Sequence, residues 1–266
     1  MRRSDGEKGG LHKLVMGVIL FFVVFLFAIY IASNSHEANK AIEDLKASEQ
    51  ISVDSKGLIV AGDNQVNSPG DVAAEKRIRV VIDPGHGGND PGKVSADGVL
   101  EKDLNLQIAF KLKDRLDSLG IESILLRTED CNLATEGATN KKNSDMKNRV
   151  AKINEVNPDI LISIHQNSFS DPGVRGPQVF YNDASHKSEE YALLLQEKLN
   201  AINPECARKA KCDNELYILS KSTCPAVIVE CGFLSSPEDV AILASDSYQY
   251  ELADSIAACV KEWLEP

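Results

Sequence analysis

Four short runs of β-branched and aliphatic residues punctuate this chain: RVVID at 79–83, IESILLR at 121–127, DILISI at 159–164 and AVIVE at 226–230. Between them, apolar residues recur at helical spacing. Strands that are apolar at nearly every position are buried on both faces, and strands alternating with helices close into a largely parallel sheet covered on both sides. In DLNLQIAFKLKDRLDSLG, Leu104, Ile108, Leu112, Leu116 and Leu119 share one helix face, with Asp103 as the expected cap and Gly120 as the stop. Thr128 to Ser144 reads as a polar loop before a helix around MKNRVAKINEV, which Asn157 and Pro158 end. PQVFY at 177–181 and LYIL at 216–219 read as further strands. Helices are expected from Lys187 to Ala201, after Ser236-Pro237-Glu238-Asp239, and at the C-terminus to about Trp263. The expected fold class is α/β, a mostly parallel sheet with helices on both faces, forming a single catalytic domain over residues 78–266.

The chain before that domain has a different character. Residues 14–32, LVMGVILFFVVFLFAIYIA, carry no charge and are about long enough to cross a hydrocarbon core. The segment is a transmembrane anchor or a signal sequence. Its length exceeds an ordinary secretory apolar region, which favours the anchor, while Ser33-Asn34-Ser35 offers a cleavage site. Arg2, Arg3, Lys8 and Lys13 precede it, so residues 1–13 are expected in the cytoplasm and everything after Ser33 outside. If the segment is cleaved, the domain is secreted. Residues 33–77 are polar and interrupted, and read as a flexible stalk. The formal charge of -11, without a dense Lys/Arg run, argues against a nucleic-acid partner. The six cysteines form no C-x-x-C pair; Cys206 and Cys212 are near enough in sequence to bond, and free thiols are the other reading.

Three residues with metal or acid-base chemistry sit at the ends of three strand runs: His86 beyond RVVID, His165 after DILISI, and Glu230 closing AVIVE. Ligands of open α/β sheets bind outside the carboxyl ends of the strands, so residues from separate strands can meet there. Glu101, just before the helix expected at Asp103, is a fourth candidate. Two imidazoles and a carboxylate, with water in the fourth position, are the ligand set of a hydrolytic zinc site.

Each residue also has a plain structural reading. Either histidine can be an ordinary hydrogen-bonding side chain, and Glu101 a solvated charge at a helix start. Glu230 is flanked by Ala226-Val227-Ile228-Val229 and Cys231-Gly232-Phe233. An enclosed carboxylate there costs free energy unless it is paired or ligated. His12, His36 and His186 offer no rival site. DPGHGG lacks the order of a phosphate loop, no G-x-S-x-G elbow exists, and Cys231 should face away from Glu230 along a strand, which weakens a cysteine hydrolase. Asp83 either orients the turn carrying His86 or caps it. Arg149 and Arg175 either recognise substrate carboxylates or are surface charges.

Four blocks, VVIDPGHGG, GVLEKDLNLQIA, SIHQNS and PAVIVECGFLSSPED, in this order and spacing, resemble the zinc-dependent N-acetylmuramoyl-L-alanine amidases over about residues 78–264. The resemblance implies one zinc ion on His86, Glu101 and His165, with Glu230 as the catalytic carboxylate. Its substrate would be peptidoglycan, cut at the amide between the lactyl group of muramic acid and the L-alanine of the stem. Gln166 and Cys231 depart from the family's usual small residue and threonine. The N-terminal apolar segment, the insert CNLATEGATNKKNSDMKNRVAKIN and ARKAK resemble the germination-specific, spore-cortex subgroup. That likeness implies a role in muramic-lactam formation during sporulation, with the domain in the forespore outer or intermembrane space. A protein activator or anchor is the other implied partner, since no separate wall-binding module follows. The rival readings are a catalytically idle peptidoglycan-binding or regulatory protein, and another zinc hydrolase, a peptidase or deacetylase.

Overall fold

A computed structural model describes residues 78–264. The apolar segment at 14–32 and the stalk at 33–77 lie outside the described residues, and among the described residues no helix is long and apolar enough to cross a membrane. The elements are β1 (Arg79–Pro84), α1 (Glu101–Ser118), β2 (Glu122–Leu125), α2 (Lys141–Val156), β3 (Ile160–Asn167), β4 (Gln178–Tyr181) and α3 (His186–Ile202). They continue as β5 (Lys211–Cys212), α4 (Tyr217–Lys221), β6 (Ala226–Phe233), α5 (Pro237–Leu243) and α6 (Asp246–Leu264).

The six strands form one sheet in the order β2-β1-β3-β6-β4-β5. β1 runs parallel to β2 and β3, and β3 parallel to β6, so four strands point the same way. β4 lies antiparallel on β6 and carries β5 beside it. The mostly parallel α/β sheet expected from the alternation is therefore present.

Alternation along the strands sorts the core into two layers. Val80 and Ile82 of β1, Ile160, Ile162 and Ile164 of β3, and Val227, Val229 and Cys231 of β6 join a large cluster with α1, α3, α5 and α6. Val81, Leu161, Ala226 and Ile228 point to the other face, against Val150 and Ile153 of α2 and Ile218 and Leu219 of α4. Asp83, Ser163, His165 and Glu230 have the parity of this second set. The smaller layer thus turns polar at the carboxyl ends of the three central strands, where the site forms.

Several boundaries differ from expectation for physical reasons. α1 begins at Glu101 behind Leu100, whose side chain cannot cap, because carbonyls of the preceding loop take the first helical N–H groups instead: Glu101 N donates to Lys93 O at 3.0 Å and Lys102 N to Pro91 O at 3.1 Å. α2 begins at Lys141 inside the expected loop, because the Asn140 side chain accepts from Asn143 N at 2.9 Å and caps it. Asn157 ends α2 in the left-handed region, φ 48°. LYIL is not a strand. It forms the first part of α4, where consecutive Ile218 and Leu219 are both buried and Ser220 N closes a turn on Leu216 O at 2.9 Å. The free edge of β4 is taken instead by the polar pair Lys211–Cys212, which has no apolar signature. All six cysteines are free.

Leu112 is fully buried on α1 and Asp114, two residues on, is exposed. Leu112→Ala is expected to lower the unfolding free energy by about 2–5 kcal/mol, while Asp114→Ala should stay within about 0.5 kcal/mol. Urea denaturation measures both, and equal effects would contradict the assignment of the buried helix face.

Candidate active site

His86 sits two residues past the end of β1, on a turn with φ 60°, an uncommon conformation for a residue with a side chain. The buried guanidinium of Arg149 holds this turn in place. Its Nη2 donates to His86 O at 2.7 Å, its Nη1 to Pro84 O at 3.0 Å and to Asp83 Oδ1, and its Nε to Asp145 Oδ2 at 2.7 Å. Asp83 completes its own bonding by accepting from Ser163 Oγ at 2.7 Å. Asp83 therefore orients the turn through Arg149. Arg149, 1% exposed, is not a surface charge. Arg175 does behave as a surface charge, 3.9 Å from Glu205.

The two histidines and Glu101 converge. Glu101 Oε1 lies 3.1 Å from His86 Nε2 and 2.9 Å from His165 Nδ1, and the three ligand atoms all fall within 4.8 Å of one another. The imidazoles meet edge to face, with ring centres 5.0 Å apart. Close approach requires glycine at two points: a Cβ on Gly85 would overlap the His165 ring, and one on Gly92 would meet the Glu101 carboxylate. Backbone N–H groups also aim the carboxylate, Lys93 N at Oε2 and Gln166 N at Oε1 at 3.1 Å. Burial pushes the Glu101 carboxyl up, but hydrogen bonds with His165 and His86 outweigh this and hold it well below the usual carboxylate range. For His165 burial favours the neutral ring, and the bond to Glu101 with the surrounding carboxylates raises its pKa overall.

The donor set fits a divalent cation of zinc type. The carboxylate oxygen lies 3.1 and 2.9 Å from the two imidazole nitrogens, close to the separation between ligands of a tetrahedral centre, which is about 3.3 Å for bonds of about 2.0 Å. His86 Nδ1 meets Asp90 Oδ2 at 3.0 Å, the kind of outer partner that would fix a ligating imidazole, and this leaves Nε2 toward Glu101.

Glu230 is the in-register neighbour of His165 across β3 and β6. Its Oε2 is shut from solvent and accepts no hydrogen bond. Burial pushes its carboxyl up to about 7, partly offset by His165. Cys231 points into the opposite layer, fully buried, as the alternation requires. Beside the convergent residues lies a cleft lined by His86, His165, Lys142, Met146, Tyr217 and Ile228.

Sequence reasoning brought His86, Glu101, His165 and Glu230 to one place. It missed their supports. Asn105, with no exposure, donates to Gly85 O at 3.1 Å and accepts from Gln166 Nε2 at 3.2 Å. Arg127, 3% exposed, donates only to backbone carbonyls. Arg127 does follow a strand end, a signal the strand-end rule covers. Asn105 shows only as a polar residue on an apolar helix face. His12 and His36 lie outside the described residues, and His186 is exposed at the start of α3.

Asp83 is buried, and although burial raises its carboxyl, Arg149 and His165 hold it below its ordinary value. Such a group contributes stability that is fully present above the unfolded pKa of about 3.9 and is lost as pH falls through the lower folded value. Asp83→Asn is therefore expected to cost about 3–5 kcal/mol at pH 7, with the gap to the parent narrowing below about pH 4. Urea unfolding across pH 2.5–7 tests this, and a gap that stays constant to the acid limit would refute it.

A family model described as N-acetylmuramoyl-L-alanine amidase matches residues 80–262. The germination-specific N-acetylmuramoyl-L-alanine amidase of Bacillus subtilis strain 168 is 36% identical over 180 residues, 66% of this chain and 76% of that protein. Among solved structures, the CwlD amidase from Clostridioides difficile in complex with the GerS lipoprotein superposes with a TM-score of 0.68 at 33% identity, covering 71% of this chain and 98% of that one. The N-acetylmuramoyl-L-alanine amidase from Clostridium difficile 630 gives 0.63 at 32% identity, covering 71% and 97%. A fold, a convergent histidine and glutamate cluster and a full-domain family match agree: this chain belongs to the N-acetylmuramoyl-L-alanine amidases and is an amide hydrolase of that class.

Proposed function

We propose that this amidase is zinc-dependent and removes peptide stems from spore-cortex peptidoglycan, with a single catalytic domain at residues 78–266 tethered outside the cytoplasm by residues 14–32. The convergence of His86, Glu101 and His165 beside Glu230 is the observation that carries the reading. His86, Glu101 and His165 hold one zinc ion, which when bound lowers the pKa of a water toward about 7 and polarises the lactyl carbonyl of the muramoyl-alanine amide.

Glu230 then supplies the proton handling. Its carboxylate takes the proton of the attacking water and gives it to the departing alanine nitrogen, which must be protonated to leave. A carboxyl pushed up to about 7 by burial is suited to hold that proton briefly at neutral pH. Asp90 keeps His86 in the tautomer that presents Nε2 to the centre, and Lys93 N and Gln166 N keep Glu101 ionised and aimed. Lys142, Met146 and Tyr217 wall the cleft in which the stem lies beside the scissile amide.

The cortex role rests on likeness to the germination-specific relative, and the tether on the charge-free apolar segment with basic residues before it. The GerS lipoprotein seen with the CwlD amidase supports a protein partner for this chain as well.

Residues 34–266 incubated with peptidoglycan are expected to release peptides with new alanine amino termini at unchanged glycan length. New reducing ends would identify a glycosidase, acetate a deacetylase, and cleavage within the stem a peptidase. Glu230→Gln should keep its zinc and lose about 10²–10⁴-fold in turnover; full activity would remove Glu230 from the mechanism. In His86→Ala the zinc content, read by atomic absorption, should fall, and unchanged metal would eliminate His86 as a ligand.

A further inference from the structure

Arg127 lies two residues beyond the end of β2, buried behind the site and in contact with neither the cleft nor a carboxylate. Among the described residues it forms no ion pair. Its guanidinium donates to four carbonyl oxygens instead: Nε to Pro84 O at 2.9 Å, Nη1 to Glu129 O at 3.1 Å, and Nη2 to both Gly85 O at 3.1 Å and Lys102 O at 2.8 Å. Pro84 and Gly85 belong to the turn that presents His86, and Lys102 follows Glu101 at the start of α1. A single planar nitrogen fork therefore spans two chain segments, each carrying one of the convergent residues.

We propose that Arg127 is a positioning residue for metal binding, setting the separation between the His86 turn and the Glu101 helix start before the ion arrives. The inference rests on the reading that His86, Glu101 and His165 hold zinc. A buried guanidinium loses hydration that carbonyl dipoles alone replace less well than a carboxylate does, so stability is a poor reason for its presence. Its rigid fork fixes a distance, which a flexible ammonium on a similar stem does not. Removing it leaves few carbonyls stranded. Pro84 O keeps its bond from Arg149, and Gly85 O keeps its bond from Asn105. What disappears is the bridge from the Pro84–Gly85 carbonyls to Lys102 O, while Lys102 Nζ still reaches Gly88 O at 2.9 Å. Asn105 crosses the same gap more weakly, with Nδ2 3.1 Å from Gly85 O and 3.4 Å from Glu101 Oε1, so affinity should fall without vanishing.

The test compares the full chain, in detergent, with Arg127→Met and Arg127→Lys by competition for zinc against a chromogenic chelator. The expected result is a zinc dissociation constant raised about 10–100-fold in Arg127→Met, the range for loss of an outer-shell partner, and a smaller rise in Arg127→Lys. Turnover of either variant should recover as free zinc is raised, with KM for peptidoglycan fragments unchanged. Zinc affinity within twofold of the parent in both variants would overturn the proposal, even if the metal-free melting temperature had dropped, because that pattern belongs to a purely structural residue. Should the methionine variant fail to fold, the lysine variant decides by the same criterion. A parent that binds no zinc would overturn the metal reading itself, and this inference with it.

Discussion

A carboxylate almost without exposure, Glu101, faces two imidazoles, and the surrounding structure is arranged to keep that charge ionised. A buried carboxylate left alone would take up a proton and cease to be a strong ligand. Here it is surrounded by donors: two imidazoles, two backbone N–H groups and the Asn105 amide. The donors come from four parts of the chain, His165 and Gln166 being neighbours on β3, so the charge state of one residue depends on the turn after β1, β3, α1 and the loop before α1 holding their places together.

The sheet supplies that order through parity and register. His165 and Glu230 are opposite one another on parallel neighbours, so their side chains leave the same face of the sheet. The same parity places Asp83 and Ser163 beneath them. One-residue slippage of β6 would send Glu230 into the large apolar layer and bring Cys231 to the site, exchanging a carboxylate for a thiol whose burial already pushes it far up. The apolar runs on either side of Glu230 therefore specify the chemistry as well as the core.

The same reasoning explains what could be read from sequence. Strand runs such as AVIVE announce themselves by composition, and the residues that end them are located by the rule for α/β sheets. LYIL misled because a single helical turn and a short strand share an apolar composition, and four residues are too few to display a period. β5 was invisible because an edge strand of two polar residues exists only through its partner. The burial of Arg149 is hidden for another reason. An arginine at a polar-looking position in MKNRVAKINEV carries no mark of the two aspartates that reach it, one of them 66 positions away.

The supports of the site share a feature that hides them from sequence. Arg149, Arg127 and Asn105 each donate to backbone carbonyls of the Pro84–His86 turn, and a carbonyl is present whatever residue bears it. That arrangement has a structural consequence. The left-handed φ of His86 costs about 1–3 kcal/mol, and only a surrounding network that over-determines the turn keeps it populated. Two guanidiniums grip the same Pro84 carbonyl, and one of them also fixes the carbonyl of His86 itself. Because those bonds reach the main chain, the turn is held before any ion or substrate binds. The geometry of the turn is thus a property of the folded domain, set by β1, β2 and α2 rather than by the histidine that displays it.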